Sequence, residues 1–162
     1  MLRVELHISK ANAALDMIPG QVVKAIEAKV RALTINLQRH IVADKLQGQV
    51  LNHRTGALGR SIQQLVERSG DRVEGKVYSS GDVKYAAIHE FGFHGSETVK
   101  QHMRTTVFGL KVEPFSVGPF TRTMNMPERS FMRSGLADMA EEIVKGLRAA
   151  AVQGAREAMG QP

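Results

Sequence analysis

The sequence contains no cysteine and no tryptophan. Without thiols there is no disulfide framework and no thiolate chemistry. Phe and Tyr together make up only 5% of the chain, so a core must rest on Leu, Ile, Val, Ala and Met. No stretch approaches the roughly 18 consecutive apolar residues that would span a bilayer, and the first ten residues lack the apolar run of a signal peptide. No Gly-rich run leads into Lys-Ser or Lys-Thr, and there is no G-x-G-x-x-G and no G-x-S-x-G. Nucleotide-binding and hydrolase readings therefore lack their usual anchors.

What is present fits one domain over residues 1–162, with a hydrophobic fraction of 43% and a charged fraction of 23%. The net charge is +6 and the isoelectric point about 9.9. The 22 basic residues are spread along the chain, with no block of five like charges. Two readings of that charge stay open: a solvated basic surface, or contact with nucleic acid or another acidic partner.

Leu2, Val4, Leu6 and Ile8 alternate with polar residues, the period of a strand. Ser9 to Asp16 reads as a loop or a short turn of helix, and Pro19 suits the first turn of a helix. Val22, Ile26, Val30, Leu33, Leu37 and Ile41 recur three or four apart, predicting a helix from Val22 to Leu46, on the order of 35 Å long. Gly48 ends it. Thr55 is placed to cap a short helix through Leu58 and Ile62. Gln63–Glu67 and Arg72–Ser79 read as strands joined by a turn at Ser69, Gly70 and Asp71, with Val73, Gly75 and Val77 on one face. Tyr85 to Phe91 suits a short helix stopped by Gly92. Thr105–Phe108 and Val112–Val117 read as a second hairpin with Gly109 near its tip, and Phe120–Met124 as an extension of the sheet. The stretch from Phe93 to Arg104 is polar and shows no clear period. After Pro127, the spacing of Met132, Leu136, Met139, Ile143 and Leu147, continued by Ala151 and Ala155, predicts a long C-terminal helix. The fold class expected is α+β: a small antiparallel sheet packed by a long N-terminal helix and a C-terminal helix.

Chemistry is harder to find. His89 and His94 are five residues apart across Gly92, whereas a helical zinc site needs i, i+4 spacing, so His89, His94 and His102 read as surface or interface histidines. Glu90 has no nucleophile beside it. It reads as a carboxylate held by an arginine, with Arg54, Arg60 and Arg129 as the candidates. No catalytic residue, cofactor or metal is assigned, and the chain is expected not to be an enzyme.

Three segments occur in order: Arg54-Thr55-Gly56-Ala57-Leu58-Gly59-Arg60-Ser61-Ile62, then Tyr85-Ala86-Ala87-Ile88-His89-Glu90-Phe91-Gly92, then Met126-Pro127-Glu128-Arg129-Ser130-Phe131-Met132 before a terminal helix. This arrangement resembles the tail-completion proteins of long-tailed phages, especially the virion morphogenesis proteins of Mu-like phages, over roughly residues 20 to 155. That family shows R-T-G-x-L-x-x-S, Y-A-x-x-x-E-F-G and R-P-F. Ser130 stands here where the family has Pro, and Phe93 follows Gly92 where a small residue or Thr is common.

The resemblance implies a structural virion protein of the phage neck, assembled in the host cytoplasm, that joins or completes the tail. It implies a ring of identical copies, expected as a hexamer, between a head connector or adaptor and a tail terminator or tail tube protein, with DNA passing through the lumen. The structural and interface residues it points to are Arg54, Thr55, Gly56, Leu58, Ser61, Tyr85, His89, Glu90, Phe91, Gly92, Pro127, Arg129 and Phe131. Tyr85, Ile88 and Phe91 are expected to bury one face of their helix. Glu90 and Arg129 are expected to pair and fasten that helix to the start of the last one. Residues 93–117 are the candidate docking arm, expected to be flexible until assembly. A tail-terminator ring, or a small basic nucleic-acid-binding domain, are the alternatives.

Overall fold

The computed structural model describes residues 2–6 as backbone, and 20–52, 55–70, 72–81, 83 and 85–159. Pro19, Arg54, Asp71 and the loop expected over Ser9–Asp16 lie outside the described residues.

The body is α+β. β1 (Leu2–Leu6), β3 (Arg72–Ser79) and β2 (Ile62–Ser69) form an antiparallel sheet in the order β1-β3-β2. Central β3 turns Val73, Gly75 and Val77 toward α1 (Gly20–His40), where Val30 and Thr34 meet Gly75. The expected helical stripe is the buried face of α1, with Val22, Val30, Leu33 and Leu37 inside.

The helix does not run uniformly to Leu46. From Ile41 to Lys45 it widens into a π-turn, closed by the Leu46 N–H donating to the Ile41 carbonyl at 3.1 Å. The wider turn buries Ile41 and Lys45 together. The Lys45 side chain is only 9% exposed, and its Nζ lies 2.5 Å from an Asp138 carboxylate oxygen. His40 bridges the same carboxylate at 3.1 Å and Asp44 at 2.6 Å. These contacts hold the Asp138 carboxyl below its usual range, the Lys45 hydrogen bond contributing most and the His40 hydrogen bond next. A depressed carboxylate stabilises the fold above its ordinary titration range, and that contribution disappears as pH falls through the folded-state value. Below about pH 4 the wild-type melting temperature should therefore fall more steeply than that of Asp138→Asn. Parallel melting curves against pH would show that Asp138 carries no such linkage.

α4 (Phe131–Ala158) packs chiefly on α1, so the layers run sheet, α1, α4, rather than both helices lying on the sheet. Its buried face begins at Phe131, Met132 and Met139 and continues through Ile143. It then follows Ala150 and Gly154 instead of the expected Ala151 and Ala155. The reason is the close approach of the helices. A Cβ on Gly154 would stand 2.6 Å from the Val22 Cα and 3.1 Å from the Ala25 Cβ. Gly154→Val should cost about 1–3 kcal/mol, as overpacking does, read as a lower midpoint in urea unfolding. An unchanged midpoint would mean that the helices separate freely.

One core joins these layers, from Leu33, Leu37 and Ile41 through Leu58, Ile62 and Val77 to Phe131, Met139 and Ile143. α2 (Ala57–Ser61) supplies Leu58, and its Ser61 hydroxyl donates to the Leu58 carbonyl at 2.8 Å and meets the Ser79 hydroxyl at 2.9 Å. Gly56, in the left-handed region at φ 69°, holds the N-cap position assigned above to Thr55. The exposed Thr55 hydroxyl instead accepts the Ala57 N–H at 3.4 Å. Ile62 is already the first residue of β2.

Candidate functional site: a β-ribbon and its root

α3 (Tyr85–Phe91) leads through Gly92 into β4 (Phe93–Val99) and β5 (His102–Val107). The chain turns at Phe108 and Gly109 and returns as β6 (Leu110–Val117) and β7 (Phe120–Met126). β4 pairs with β7, and β5 with β6. These strands do not extend the body sheet, as expected for Phe120–Met124; they make a separate two-stranded ribbon. The register carries over from the β4–β7 pair to the β5–β6 pair and then shifts between Arg104, opposite Phe115, and Thr106, opposite Lys111. Val99 opposes Phe120 and His102 opposes Val117, with two residues between on each strand. The hairpin with Gly109 at its tip is present, and the stretch from Phe93 to Arg104 is strand through Val99 and again from His102. No helix or strand of the body packs along the ribbon among the described residues.

The pairing divides its side chains between two faces. In β4 and β7, Phe93, Val99, Phe120, Met124 and Met126 share one face with the ion-paired Glu97 and Arg122, whose closest approach is 2.7 Å. His94, Ser96, Thr98, Thr121, Thr123 and Asn125 fill the other. In β5 and β6, Met103, Val107, Leu110, Val112 and Pro114 lie together, opposite His102, Arg104, Lys111, Glu113 and Phe115. The ribbon is thus amphipathic and uncovered. Leu110 is 72% exposed and Phe108, at the tip with φ 49°, is 99% exposed.

The root of the ribbon is built from the second and third segments singled out in the sequence. Glu90, 0% exposed, projects from α3 onto the first turn of α4. Its Oε2 accepts the Met132 N–H at 2.9 Å, and its Oε1 accepts the Arg133 N–H at 3.0 Å. Ser130 occupies the N-cap position of α4 but makes no side-chain cap bond. Glu90, distant in sequence, supplies it instead, and a carboxylate suits the positive end of a helix. The expected partner Arg129 is not the arginine that holds Glu90. Arg133 is: its Nε donates to Glu90 Oε1 at 3.1 Å, and its Nη2 donates to the Glu90 carbonyl at 2.9 Å and to Glu128 Oε1 at 2.7 Å. These bonds, Glu90 foremost, raise the Arg133 pKa. Position explains the difference. The two amides fix Glu90 over the first turn of α4, and Arg133 itself contributes one of them. Arg129 precedes the helix, is exposed, and contributes its backbone, the N–H donating to the His89 carbonyl at 2.7 Å. Arg60, on α2, is exposed.

This geometry reverses the expected face of α3. Ala86 and Glu90, four apart, are buried, while Tyr85 and Phe91 are exposed and Ile88 is half-buried. The Arg133 guanidinium lies over the Phe91 ring, 5.0 Å from its centroid. The His89 ring meets Tyr85 edge-on at 6.0 Å, and its Nδ1 is buried without a hydrogen-bond partner. Burial and, second, the Arg129 charge lower the His89 pKa. Gly92 closes the root at φ 73°, where a Cβ would meet the Met126 carbonyl oxygen at 2.9 Å and the Glu128 nitrogen at 3.0 Å. Pro127 is exposed between β7 and α4, and Phe131 is fully buried.

Of the residues named from sequence, His89, Glu90, Phe91, Gly92, Arg129 and Phe131 converge here. Thr55, Gly56, Leu58 and Ser61 lie instead where α2 feeds the sheet, and Arg54 lies outside the described residues. Among the described residues, no group of three or more His, Asp or Glu stands close enough to hold a metal ion. No described helix is long and apolar enough to cross a membrane. Comparison of the chain with family models, curated proteins and solved structures finds no match.

Proposed function

We propose that this chain is a structural assembly protein of a tailed-phage particle, working at the neck as one copy of a ring that joins or completes the tail. One observation carries the reading. The second and third segments of the tail-completion resemblance meet at a single joint, and that joint orients a free-standing ribbon. Glu90 and Arg133 fix the ribbon's two ends to α3 and α4, so the arm leaves the body in a set direction. An arm with apolar side chains in solvent suits a surface that is covered on assembly. The ring, the head connector and the tail terminator or tube as neighbours, and DNA in the lumen all follow from the resemblance and belong to this proposal.

Deleting the gene and examining the lysate by electron microscopy tests it. Separate DNA-filled heads and tails of normal length are expected. Tails of uncontrolled length would move the assignment to a terminator ring. Normal infectious particles would end the structural reading and leave the basic charge, with salt-sensitive DNA binding, as the lead.

A further inference from the structure

Glu90 is not the only ionisable side chain on the α3 side of the ribbon's root. His89 precedes it, and the His89 carbonyl accepts the Arg129 N–H at 2.7 Å. With the Glu90 bonds to the Met132 and Arg133 amides, this contact fastens α3 to the start of α4. The Nδ1 of the His89 ring takes no part in it, being buried without a hydrogen-bond partner. A neutral imidazole can leave that nitrogen as an unpaired acceptor, whereas a protonated one carries N–H on both nitrogens. A buried donor without an acceptor costs its full desolvation, more so when it is charged.

The charged groups of the joint offer that proton no partner among the described residues. On α3, the Glu90 carboxylate is held by two amides and Arg133, and Tyr85 presents its ring to the imidazole. On the segment before α4, Arg129 repels a second positive charge, and Glu128 is bonded to Arg133. On α4, Arg133 is a further cation. On β4, His94 lies on the polar face of the ribbon. We infer that the joint is a pH-sensitive latch: it is closed while His89 is neutral, and protonation drives the ring to water and opens the turn of α3 that carries both fastenings. The latch rests on the reading above that this joint orients the ribbon, and it adds a means of release. Its direction in pH follows from the chemistry. Burial and, second, Arg129 hold the folded-state pKa below the ordinary histidine value of 6.5. Closure is therefore fully supported above about pH 6.5 and weakens as pH falls from there toward the folded-state value. Down to about pH 5.5 carboxylates stay ionised, so Asp138 does not enter.

Hydrogen exchange of the Met132 and Arg133 amides, with the intrinsic pH dependence of exchange divided out, reads the opening of the joint. Their protection should fall several-fold between about pH 7.5 and about pH 5.5, with about tenfold as the ceiling one pH unit below the ordinary histidine value. The Leu33 and Leu37 amides, inside α1, should keep theirs. In His89→Gln and His89→Phe the fall should vanish, once cooperative unfolding at about pH 7.5 shows that each variant is folded. The Phe variant keeps a ring against Tyr85 without a titrating group. Equal protection at the two pH values in the wild type would overturn the latch and leave the joint intact. A fall that persists in both variants would assign the effect to another histidine and remove His89 as the trigger. An equal loss in α1 would make the event global unfolding, which is no latch. Met132 and Arg133 amides unprotected even at about pH 7.5 would sink the joint itself, and the latch with it.

Discussion

Glu90→Ala should lower the unfolding free energy by about 3 kcal/mol, a drop of roughly 6–12 °C in melting temperature for a chain of this size. The carboxylate is fully buried and satisfies two helix amides and one guanidinium. Removing it uncaps α4, which alone costs about 1 kcal/mol, and leaves a void at the junction with α3. The loss sits at the low end of the range for breaking a buried pair because Arg133 is half exposed and turns to water when its partner goes. Glu90→Gln keeps the shape but offers a single acceptor oxygen to three donors, so it should still cost about 2 kcal/mol. Arg133→Ala should cost less than Glu90→Ala, because the two amides remain capped. Arg129→Ala should stay within about 0.5 kcal/mol. Urea unfolding of the four variants decides the matter. If Arg129→Ala falls as far as Glu90→Ala, the joint is held by a different pair.

Excising residues 94–125 and closing Phe93 to Met126 with a tight turn should leave the body folded, with stability changed by no more than about 0.5 kcal/mol. The ribbon contributes nothing to the core cluster, and Glu90 and Arg133 lie on the body side of the cut. If the ribbon carries the assembly contact of the proposed role, the excised protein should fail to enter particles. A body that fails to fold without its ribbon would show that the arm is structural to the monomer. Its apolar side chains would then need no partner to explain them.

The helices are legible in the sequence because burial on one side leaves a periodic trace. Val22 to Ile41 and Met132 to Ile143 display it directly. The trace fades at Ala150 and Gly154, where backbone proximity to α1 demands small residues, and small residues carry little hydrophobic signal. The hairpin tip is legible from Gly109. The ribbon's ascending strand is not, because Glu97 interrupts the apolar alternation between Phe93 and Val99, and its partner Arg122 is far away in sequence. Glu90 reads correctly as a carboxylate held by an arginine, yet the candidates read from sequence are Arg54, Arg60 and Arg129, and the arginine that holds it is Arg133. Choosing between them requires the position of the first amides of α4, which is tertiary information. The exposure of Tyr85 and Phe91 follows from the same fact: once Glu90 turns inward, residues on the far side of a two-turn helix face solvent.

The most direct test supplies the ribbon-less gene in trans to a phage lacking its own copy and examines the particles by electron microscopy. If the ribbon is the element through which this protein assembles, filled heads and normal-length tails accumulate unjoined even though the truncated protein is folded and abundant. Infectious particles at wild-type yield would contradict that role and move the functional surface to the body.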